Sequence, residues 1–523
     1  MVPVVIFHIT LLRDDSRFRW AQCQLETLRH CPLQEISGTL QDLPKDLNET
    51  YERILRNIPE KQWKYAHRIF QFLTASFRQL RLEELGEVFV IQVDAEATRI
   101  SEFHPDWRHQ NSEVVVQSAC PSLVAVVDVR GDQVAQFSHF SVQEFLVSQD
   151  LKNSHDLSKY HVSPPSAHAF FARACLCVLL HLGDGIDNVQ LKNFPLASYA
   201  AEHWVGHAKY GVVSPDILAG MKCLFDKNKP HFNAWTWLYN VDKQSPESTI
   251  HPMQPDAVPL YYAALCGFHD ITEHLIHAHP EDVNARGGNH VTPLHAALDK
   301  GHLDVALLLL RNGANVGSRG IEGQTPLHLA SDRGYTDIVK SLIDNHGADP
   351  NAENDGQETP LLLASKSGQG EVANVLLAGG ADANHRDRNG WTPLHVASQK
   401  GHVHIVQLLL NSGRVPNVNP PDINHNTPLH IASCHGKVAV VTTLLDRGAN
   451  VEARDGQGGT PLHDASQSGH LEVVRLLLEH GADSRARNRK GETPFQISSR
   501  KNDSEVAQLL GKYAGEDKAI GHM

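Results

Sequence analysis

The second half of the chain repeats one pattern of apolar and polar positions every 33 to 35 residues. In the unit from Thr325, apolar residues follow Thr325-Pro326 and recur at helical spacing over 338–343, and Gly334 and Gly347 come after these two clusters. Thr can cap a helix, Pro suits its first turn, and Gly ends it at low conformational cost. The pattern therefore predicts two short helices per unit, followed by a loop that leads to the next unit.

A tetrapeptide marks these units. Thr-Pro-Leu-His stands at Thr292–His295, Thr325–His328, Thr392–His395, Thr427–His430 and Thr460–His463, and variants begin at Thr359 and Thr493. Neither helix of a unit is long enough to bury its apolar face alone, so the units must stack. With a degenerate first unit at Val258, we count eight units over about 254–514. The pattern resembles the ankyrin repeat family, and the resemblance implies an α-solenoid that grips other proteins and has no inherent chemistry.

One unit departs from the pattern after Leu410. Gly413-Arg414-Val415 replaces the usual Gly-Ala-Asp or Gly-Ala-Asn, three prolines stiffen the following residues, and the next motif threonine comes 35 residues after the last. We expect the loop over 413–426 to protrude or to be distorted. Two interpretations stay open, a binding feature and a tolerated insertion, since loops accept insertions readily.

The first half of the chain combines predicted helices with one predicted hairpin. Apolar spacing predicts helices over 17–33, 43–55, 65–76, 82–90, 167–182, 196–208 and 215–225. Strand-like residues at 123–127 and 134–137 flank a polar turn, which predicts the hairpin. Ser141, with Glu144 three residues later, predicts a capping box at the start of another helix. Three helices before a hairpin suggest a winged helix.

Four segments of this half carry a second resemblance, namely 137–146, 43–55, 80–85 and 194–204. Over about 17–210 the chain resembles the C-terminal part of fungal NACHT–ankyrin proteins, in the NOD-like receptor class of signalling ATPases. The resemblance implies that His139 matches a histidine that contacts nucleotide in such receptors. However, the 523 residues contain no Gly-x-x-x-x-Gly-Lys-Ser/Thr loop to cradle phosphates. We therefore expect no cofactor, and we expect His139 to serve in packing or hydrogen bonding.

The predicted fold is mostly α, with an N-terminal helical and winged-helix-like region before an ankyrin-repeat solenoid of about eight repeats. The expected bounds are 1–60 for a helical remnant resembling the end of a NACHT module, 61–150 for the winged-helix-like domain, 151–240 for a helical connection, 241–253 for a linker, 254–514 for the repeats and 515–523 for a flexible tail. Trp204, Trp235 and Trp237 are expected to pack the connection against the first repeat. Whether the chain is a complete short protein or a fragment of a longer ATPase-containing one stays open.

Composition and charge narrow the classes of function. Hydrophobic residues make up 41% and charged residues 20%, which is typical of a folded chain, and the net charge is −13. Residues 252–523 hold 23 basic and 31 acidic side chains, so no basic stripe suggests nucleic-acid binding. The eight cysteines form no Cys-x-x-Cys pair, which favours reduced thiols in the cytoplasm, with the nucleus also possible. No apolar run approaches the roughly 20 residues of a membrane helix.

Candidate chemistry is sparse. Many of the 34 histidines belong to Thr-Pro-Leu-His or Gly-His pairs spread one per repeat, so we expect structural histidines and no metal site. His139 and Ser141 suggest a nucleophile and base, but there is no Gly-x-Ser-x-Gly turn and no evident orienting acid. We therefore expect no catalytic residue and no enzyme activity.

The leading hypothesis is a non-enzymatic interaction protein whose repeats bind a partner protein, with no nucleic acid, no membrane and an oligomeric state that the sequence leaves open. The alternative is a truncated NACHT-type, nucleotide-switched signalling ATPase without its ATP-binding domain. The candidate protein-binding residues lie at loop tips and on the face of the first helices. They are Asp299, Lys300, Asp332, Arg333, Lys366, Trp391, Gln399 and Lys400. Trp391 is either a binding anchor or a cover for its own repeat.

Overall fold

The computed structural model describes residues 46–92, 102–104, 116, 119–120, 122–183, 186–210, 214–245, 255–413, 417–501 and 503–520. The chain divides into two compact units, Met1–Pro259 and Leu260–Met523. Helix accounts for 57% and strand for 4%, which confirms the mostly α fold. The helix predicted over 17–33 lies outside the described residues.

Nine α-helices and five short strands of the N-terminal unit have both ends within the described residues, along with three short 3-10 helices. The helices are α1 (Leu47–Arg56), α2 (Trp63–Ala75), α3 (Leu82–Gly86), α4 (Phe140–Leu146), α5 (Gln149–Asn153), α6 (Pro164–Leu180), α7 (Ala197–Lys209), α8 (Pro215–Leu224) and α9 (His231–Leu238). The strands are β1 (Leu80–Arg81), β2 (Ile91–Gln92), β3 (Glu102–Phe103), β4 (Val124–Val129) and β5 (Asp132–Phe137). One antiparallel sheet has the order β1-β5-β4, and β2 pairs with β3.

The predicted hairpin is confirmed as β4 and β5. Arg130 and Gly131 at its turn both have positive φ, 58° and 93°, and the Gly131 N–H donates to Asp128 (3.0 Å). Two successive residues in this conformation match the twist of the strands that they connect. At the other edge of the sheet, the buried carboxylate of Glu84 holds β1 in place through Arg78 (2.7 Å) and Arg81 (3.2 Å).

The capping box predicted at Ser141 is wrong. The capping residue is His139, whose backbone is extended and whose Nδ1 accepts from the Ser141 N–H (3.2 Å), so Ser141 lies inside the first turn of α4. The Ser141 hydroxyl is instead shared between His139 Nδ1 and the Tyr51 hydroxyl, each at 2.7 Å. His139 therefore makes hydrogen bonds, and the Ser141 hydroxyl joins α4 to α1.

Helices α6, α7, α8 and α9 form the rest of the N-terminal unit. Trp204 and Trp235 are fully buried there and lie edge to face with Phe225 between α7, α8 and α9, and Trp237 is also buried. These tryptophans fill the core of their own unit. At the start of the predicted linker, Ser245 pairs with Asn240, the residue just before the linker, and residues 246–254 lie outside the described residues.

The C-terminal unit contains eight successive pairs of helices, one pair for each predicted repeat. The pairs are α10 (Pro259–Cys266) and α11 (His269–Ala278), α12 (Pro293–Lys300) and α13 (Leu303–Arg311), α14 (Pro326–Arg333) and α15 (Thr336–Asp344), α16 (Pro360–Ser367) and α17 (Gly370–Ala378), α18 (Pro393–Lys400) and α19 (Val403–Asn411), α20 (Pro428–Cys434) and α21 (Val438–Asp446), α22 (Pro461–Ser468) and α23 (Leu471–Glu479), and α24 (Pro494–Arg500) and α25 (Ser504–Ile520). Helix α25 continues into the predicted tail over 515–523, where Glu516, Lys518 and Ala519 favour helix.

Each motif histidine links its own repeat to the next. In the third repeat, His328 Nδ1 accepts a hydrogen bond from the Thr325 backbone N–H (3.1 Å). Since Nδ1 accepts, Nε2 carries the proton, and it donates to the carbonyl oxygen of Glu358, just before the next motif threonine (3.0 Å). The same bond joins His295 to Gln324, His395 to Asn426, His430 to Gly459 and His463 to Glu492. The repeat from Thr359 carries Leu362 instead and lacks this bond.

A second set of hydrogen bonds joins the loops that follow the second helices. Asn351 Oδ1 accepts from the backbone N–H of Asp382, 31 residues further along the chain (2.7 Å). Equivalent bonds run from Asn315 to Asn284, from Asn450 to Asn419 and from Asp483 to Glu452. At the same position the second repeat has Gly317, which has no side chain to accept from Asp349. The ladder is therefore interrupted between the second and third repeats.

Acid should destabilise the C-terminal unit through the motif histidines. Burial lowers the pKa of His295 and of His395 to about 4, below the ordinary value of about 6.5. Below about pH 6.5 the unfolded chain binds protons that the folded chain does not, so stability present above that pH is lost between about pH 6.5 and 4. We expect the urea concentration that unfolds half of the C-terminal unit to fall as the pH is lowered over this range. Hydrogen exchange of the amides of this unit measures its unfolding.

The variant His395→Leu, which copies the native residue at position 362, tests the cause. It should lower the stability of the repeats around it by about 1–3 kcal/mol at pH 7, because it leaves buried backbone groups without partners. It should also reduce the loss between pH 7 and 5. An unchanged pH dependence would contradict the assignment to these histidines.

Gly317→Asn should repair the interrupted ladder. The position has an ordinary backbone conformation, and a Cβ there would meet only the side chain of Asn315, at 3.5 Å. We expect a gain of about 1 kcal/mol from the added hydrogen bond and from the lower entropy of the unfolded chain. The reciprocal change, Asn351→Gly, should cost a similar amount in the same urea experiment. A loss of stability in Gly317→Asn would show that the second repeat cannot accept this bond.

Candidate protein-binding surface

The candidate binding surface of the repeats is built from two sets of equivalent positions. One set is the last turn of each first helix, seven and eight residues after the motif threonine, as at Asp299 and Lys300. The other is the six residues before each motif threonine, which we call the finger of the repeat. The six complete fingers from the third repeat onward are 319–324, 353–358, 386–391, 421–426, 454–459 and 487–492.

Five of the six fingers keep their shape through a side chain that accepts backbone hydrogen bonds within the turn, whereas the finger 319–324 has Gly320 at this position. In the finger 421–426, Asp422 Oδ1 accepts from the N–H groups of Asn424 and Asn426, both at 2.8 Å. Asp387 and Asp455 act in the same way in their own fingers, as do Asn354 and Asn488. Turn carboxylates therefore point inward, and the neighbouring side chains project outward.

Neighbouring fingers are joined to one another by backbone hydrogen bonds. The N–H of Ile423 donates to the carbonyl oxygen of Asn389 (3.2 Å), and the N–H of Gly456 donates to that of Asn424 (2.7 Å). The same bond recurs from Asp355 to Glu322, from Arg388 to Gly356 and from Arg489 to Gln457. The tips of six fingers thus form one continuous edge of the C-terminal unit.

The candidate residues of the second and third repeats contact one another. Asp299 forms ion pairs with Arg333 of the next repeat (2.7 Å) and with Lys300 (3.3 Å), and His290 lies 3.7 Å away. Asp332 accepts a hydrogen bond from the hydroxyl of Ser367 in the fourth repeat. These charges are therefore partly neutralised within the chain.

The remaining candidates lie along the same edge without forming one cluster. Lys366 is exposed and pairs with Glu358 of its own finger (3.4 Å). Gln399 is half-buried and Lys400 is exposed at the end of α18. The candidates thus follow the array as a row, with one to three in each repeat from the second to the fifth.

Trp391 is half-buried and bridges two repeats. Its indole N–H donates to Asp422 in the next finger (3.2 Å), and its ring lies parallel to that of His395, with centroids 6.2 Å apart. These contacts support a role in covering the repeats, and the exposed part of the ring stays available as an anchor.

Sequence reasoning missed two apolar finger tips. Ile321 and Ile423 are 56% and 63% exposed, and each lies four residues before a motif threonine. Counting back from each threonine would have found them, since this position is always at the tip. The loop predicted to be irregular, 413–426, ends in a regular finger over 421–426. Its residues 414–416 lie outside the described residues.

One half-buried carboxyl lies among apolar neighbours on the first helices. Asp464 occupies the position that other repeats fill with Ala296, Leu329, Leu363, Val396, Ile431 and Ile497. Burial, together with the nearby carboxylate of Asp455, raises the pKa of Asp464 to about 7. Near neutral pH this carboxyl is therefore present in both its neutral and its charged form.

Two further observations bear on ligands. His279, Glu281 and Asp282 place one possible metal-ligating atom each within 4.8 Å of one another, and Glu281 is exposed. All three come from one short turn, and we assign no metal to it. Within the described residues, no helix combines the length and the apolar content needed to cross a membrane.

Known protein families match both halves of the chain. A family described as ankyrin repeats in three copies matches residues 228–320, 260–354, 312–387 and 361–455, and one described as ankyrin repeats in many copies matches 444–498. Together these matches cover the first seven helix pairs, the start of α24, the motif histidines and the fingers. The helix pairs are ankyrin repeats. Ankyrin repeats mediate protein–protein interactions.

The N-terminal match is to the winged helix domain of GPI inositol-deacylase, over residues 51–158. It covers most of α1, all of α2 to α5 and the sheet β1-β5-β4. The predicted winged helix is therefore confirmed, and the matched region begins ten residues before the predicted start at 61.

Two curated proteins are similar to parts of the chain. The azaphilone pigments biosynthesis cluster protein L of Monascus ruber is 32% identical over 296 residues, which are 53% of this chain and 61% of that protein. Alpha-latrocrustotoxin-Lt1a of Latrodectus tredecimguttatus is 44% identical over 57 residues, which are 11% of this chain and 4% of the toxin. The matches thus span about three fifths of the first relative and a small part of the second.

Replacing Asp464 should stabilise the ankyrin repeats. Since its pKa in the folded chain lies above the ordinary value of about 3.9, the stability present at acid pH is lost as pH rises from about 4 to 7. Asp464→Leu should raise the free energy of unfolding by about 1–3 kcal/mol at pH 7.5, and by less at pH 5. Gln467→Leu, at an exposed position of the same helix, is the control and should change little. An equal effect at both pH values would contradict the raised pKa.

Proposed function

We propose that this chain is a non-enzymatic scaffold or sensor that recognises a partner protein through its ankyrin repeats. The observation that carries the proposal is the continuous edge of finger tips and first-helix ends. Its frame is repeated from unit to unit, whereas its exposed side chains differ in charge, size and polarity. A rigid frame with variable exposed positions is the usual arrangement of a repeat protein that binds other proteins.

The proposal includes kinship with NACHT-type signalling proteins. The match of 51–158 to a winged helix domain supports it, together with the segments 137–146 and 194–204. We infer that the winged helix and the helices after it form a signalling module, to which the repeats supply recognition. We place this function in the cytoplasm or the nucleus on the basis of cysteines without disulfide spacing.

Nucleotide-switched ATPase activity is the alternative, and it is not our proposal for these 523 residues. The sequence has no phosphate-binding Gly-Lys-Ser/Thr loop. His139, the residue that the resemblance would assign to nucleotide, uses its Nδ1 to cap α4 and to contact Ser141. This geometry supports a structural role for His139 in this chain.

The binding face can be tested with two matched sets of substitutions in the same two repeats. One set changes Asp299, Lys300, Asp332 and Arg333 to Ala on the proposed face. The control set changes Asp304, Arg311, Asp337 and Lys340 to Ala on the second helices, where all four are exposed. Both sets remove two acids and two bases, and the exposed ion pairs lost from the first set cost at most about 1 kcal/mol each.

The full chain and both variants serve as bait for affinity capture, with circular dichroism to confirm folding. We expect the first set to lose at least one specifically bound protein that the wild type and the control retain. Retention of every bound protein by the first set, with loss from the control, would place the binding surface on the second helices and overturn the proposal for this face.

A further inference from the structure

The charge of the fingers changes sign along the array. The fingers 319–324 and 353–358 hold four carboxylates, Glu322, Glu353, Asp355 and Glu358, and one cation, Arg319. The four later fingers hold six cations, Arg386, Arg388, Arg454, Arg487, Arg489 and Lys490, all of them exposed. This contrast is local, because the chain as a whole carries a net charge of −13.

The carboxylates of the later fingers do not neutralise these cations. Asp387, Asp422 and Asp455 each accept backbone hydrogen bonds inside their own turns. The fourth, Glu492, pairs with Arg500 at the end of α24. Among the described residues, none of the six cations has a carboxylate within ion-pair distance, whereas in the earlier fingers Arg319 pairs with Asp355 (3.0 Å).

Two of the six cations also form hydrogen bonds that hold the fingers in shape. Arg454 donates to the carbonyl oxygens of Gly458 (3.0 Å) and Arg487 (2.9 Å), and Arg487 donates to that of Gly491. A carbonyl dipole does not cancel a full charge, so the positive field at this edge remains. Arg386, Arg388, Arg489 and Lys490 make the exposed tips that an incoming partner would meet.

An apolar tip interrupts the basic edge. Ile423, 63% exposed, lies on the finger between Arg388 and Arg454. The backbone bonds from Ile423 to Asn389 and from Gly456 to Asn424 keep the three fingers in register. The edge therefore presents the order basic, apolar, basic in three consecutive repeats, and it ends in the strongly basic finger 487–492.

We propose that this edge, which we call the basic edge (the fingers 386–391, 421–426, 454–459 and 487–492), binds an extended acidic segment of a partner protein. The proposal rests on the protein-binding function proposed above and adds the chemistry of the partner. Neighbouring helices pack about 8–10 Å apart, and an extended chain advances about 3.3 Å per residue. The segment thus carries one apolar side chain for Ile423, with Asp or Glu about three residues before and after it.

The charges also explain why an acidic segment would bind at this end of the array and not at the second and third repeats. In the second and third repeats, a partner would have to compete with existing pairs such as Asp299–Arg333. At the basic edge no such pair has to break. Cations without an ion-pair partner attract an acidic chain over a distance that decreases as the salt concentration rises. Binding should therefore weaken strongly as ionic strength rises.

A labelled synthetic peptide tests the proposal on the full chain. The probe has a central Leu with Asp-Glu pairs about three residues away on either side, and binding is followed by fluorescence anisotropy at low and at physiological salt. Three comparison ligands are the same peptide with Lys for every acid, the same peptide with Ser for Leu, and a single-stranded oligonucleotide of equal charge. We expect the acidic peptide to bind, the Lys peptide not to bind, and the Ser peptide to bind more weakly.

Charge reversal locates the site. R489E/K490E and R386E/R388E should each weaken binding about tenfold at low salt, since each reverses two exposed charges. The control R311E/K340E reverses two exposed cations on second helices and should change the affinity less than about twofold, with circular dichroism to confirm folding of all three variants.

Several results would overturn the inference. They are failure of the acidic peptide to bind, equal binding by the finger variants and the control, equal binding of the Ser peptide, and tighter binding of the oligonucleotide. If affinity capture still shows partners that depend on the array, these results reject the acidic segment alone and leave the protein-binding function standing. If affinity capture instead shows no partner that depends on the array, the protein-binding function itself is rejected.

Discussion

Five of the contacts between neighbouring repeats share one hydrogen bond, from Nε2 of the motif histidine to the carbonyl oxygen just before the next motif threonine. The bond is directional, because in four of the five histidines Nδ1 accepts from the backbone N–H of the histidine's own motif threonine. It therefore fixes the ring in one tautomer and sets the position of the following finger. Each such bond contributes only about 1 kcal/mol net, but it recurs through the array and determines where the exposed residues lie.

Much of the repeat architecture could be predicted because its signals are local. Thr-Pro starts each first helix, and Gly334 ends one with positive φ, where a residue without Cβ is least strained. The period of about 33 residues then gives the number of units. The ion pair between Asp299 and Arg333 could not be predicted with equal assurance, since it depends on how closely two repeats approach.

The N-terminal unit shows where local signals mislead. Ser141 and Glu144 have the spacing of a capping box, yet His139 caps the helix, and the serine hydroxyl bonds to His139 and to Tyr51, which is 90 residues away in the chain. The inward turn of Asp387, Asp422 and Asp455 was equally hidden in the sequence, where all three look like surface charges and two of them stand beside arginine. Only the turn geometry shows that the acids are used internally and that the cations face outward.

Leu362 has a consequence for how the array behaves as a whole. A linear array of repeats is held together by coupling between neighbours, and its cooperativity is set by its weakest contact. The contact between the fourth and fifth repeats lacks the histidine bond and keeps the finger bond, together with a hydrogen bond from His402 Nε2 to the carbonyl oxygen of Lys366 (3.3 Å). We therefore expect this contact to be weaker than its neighbours, and the change of charge along the fingers falls at the same contact, between the fingers 353–358 and 386–391.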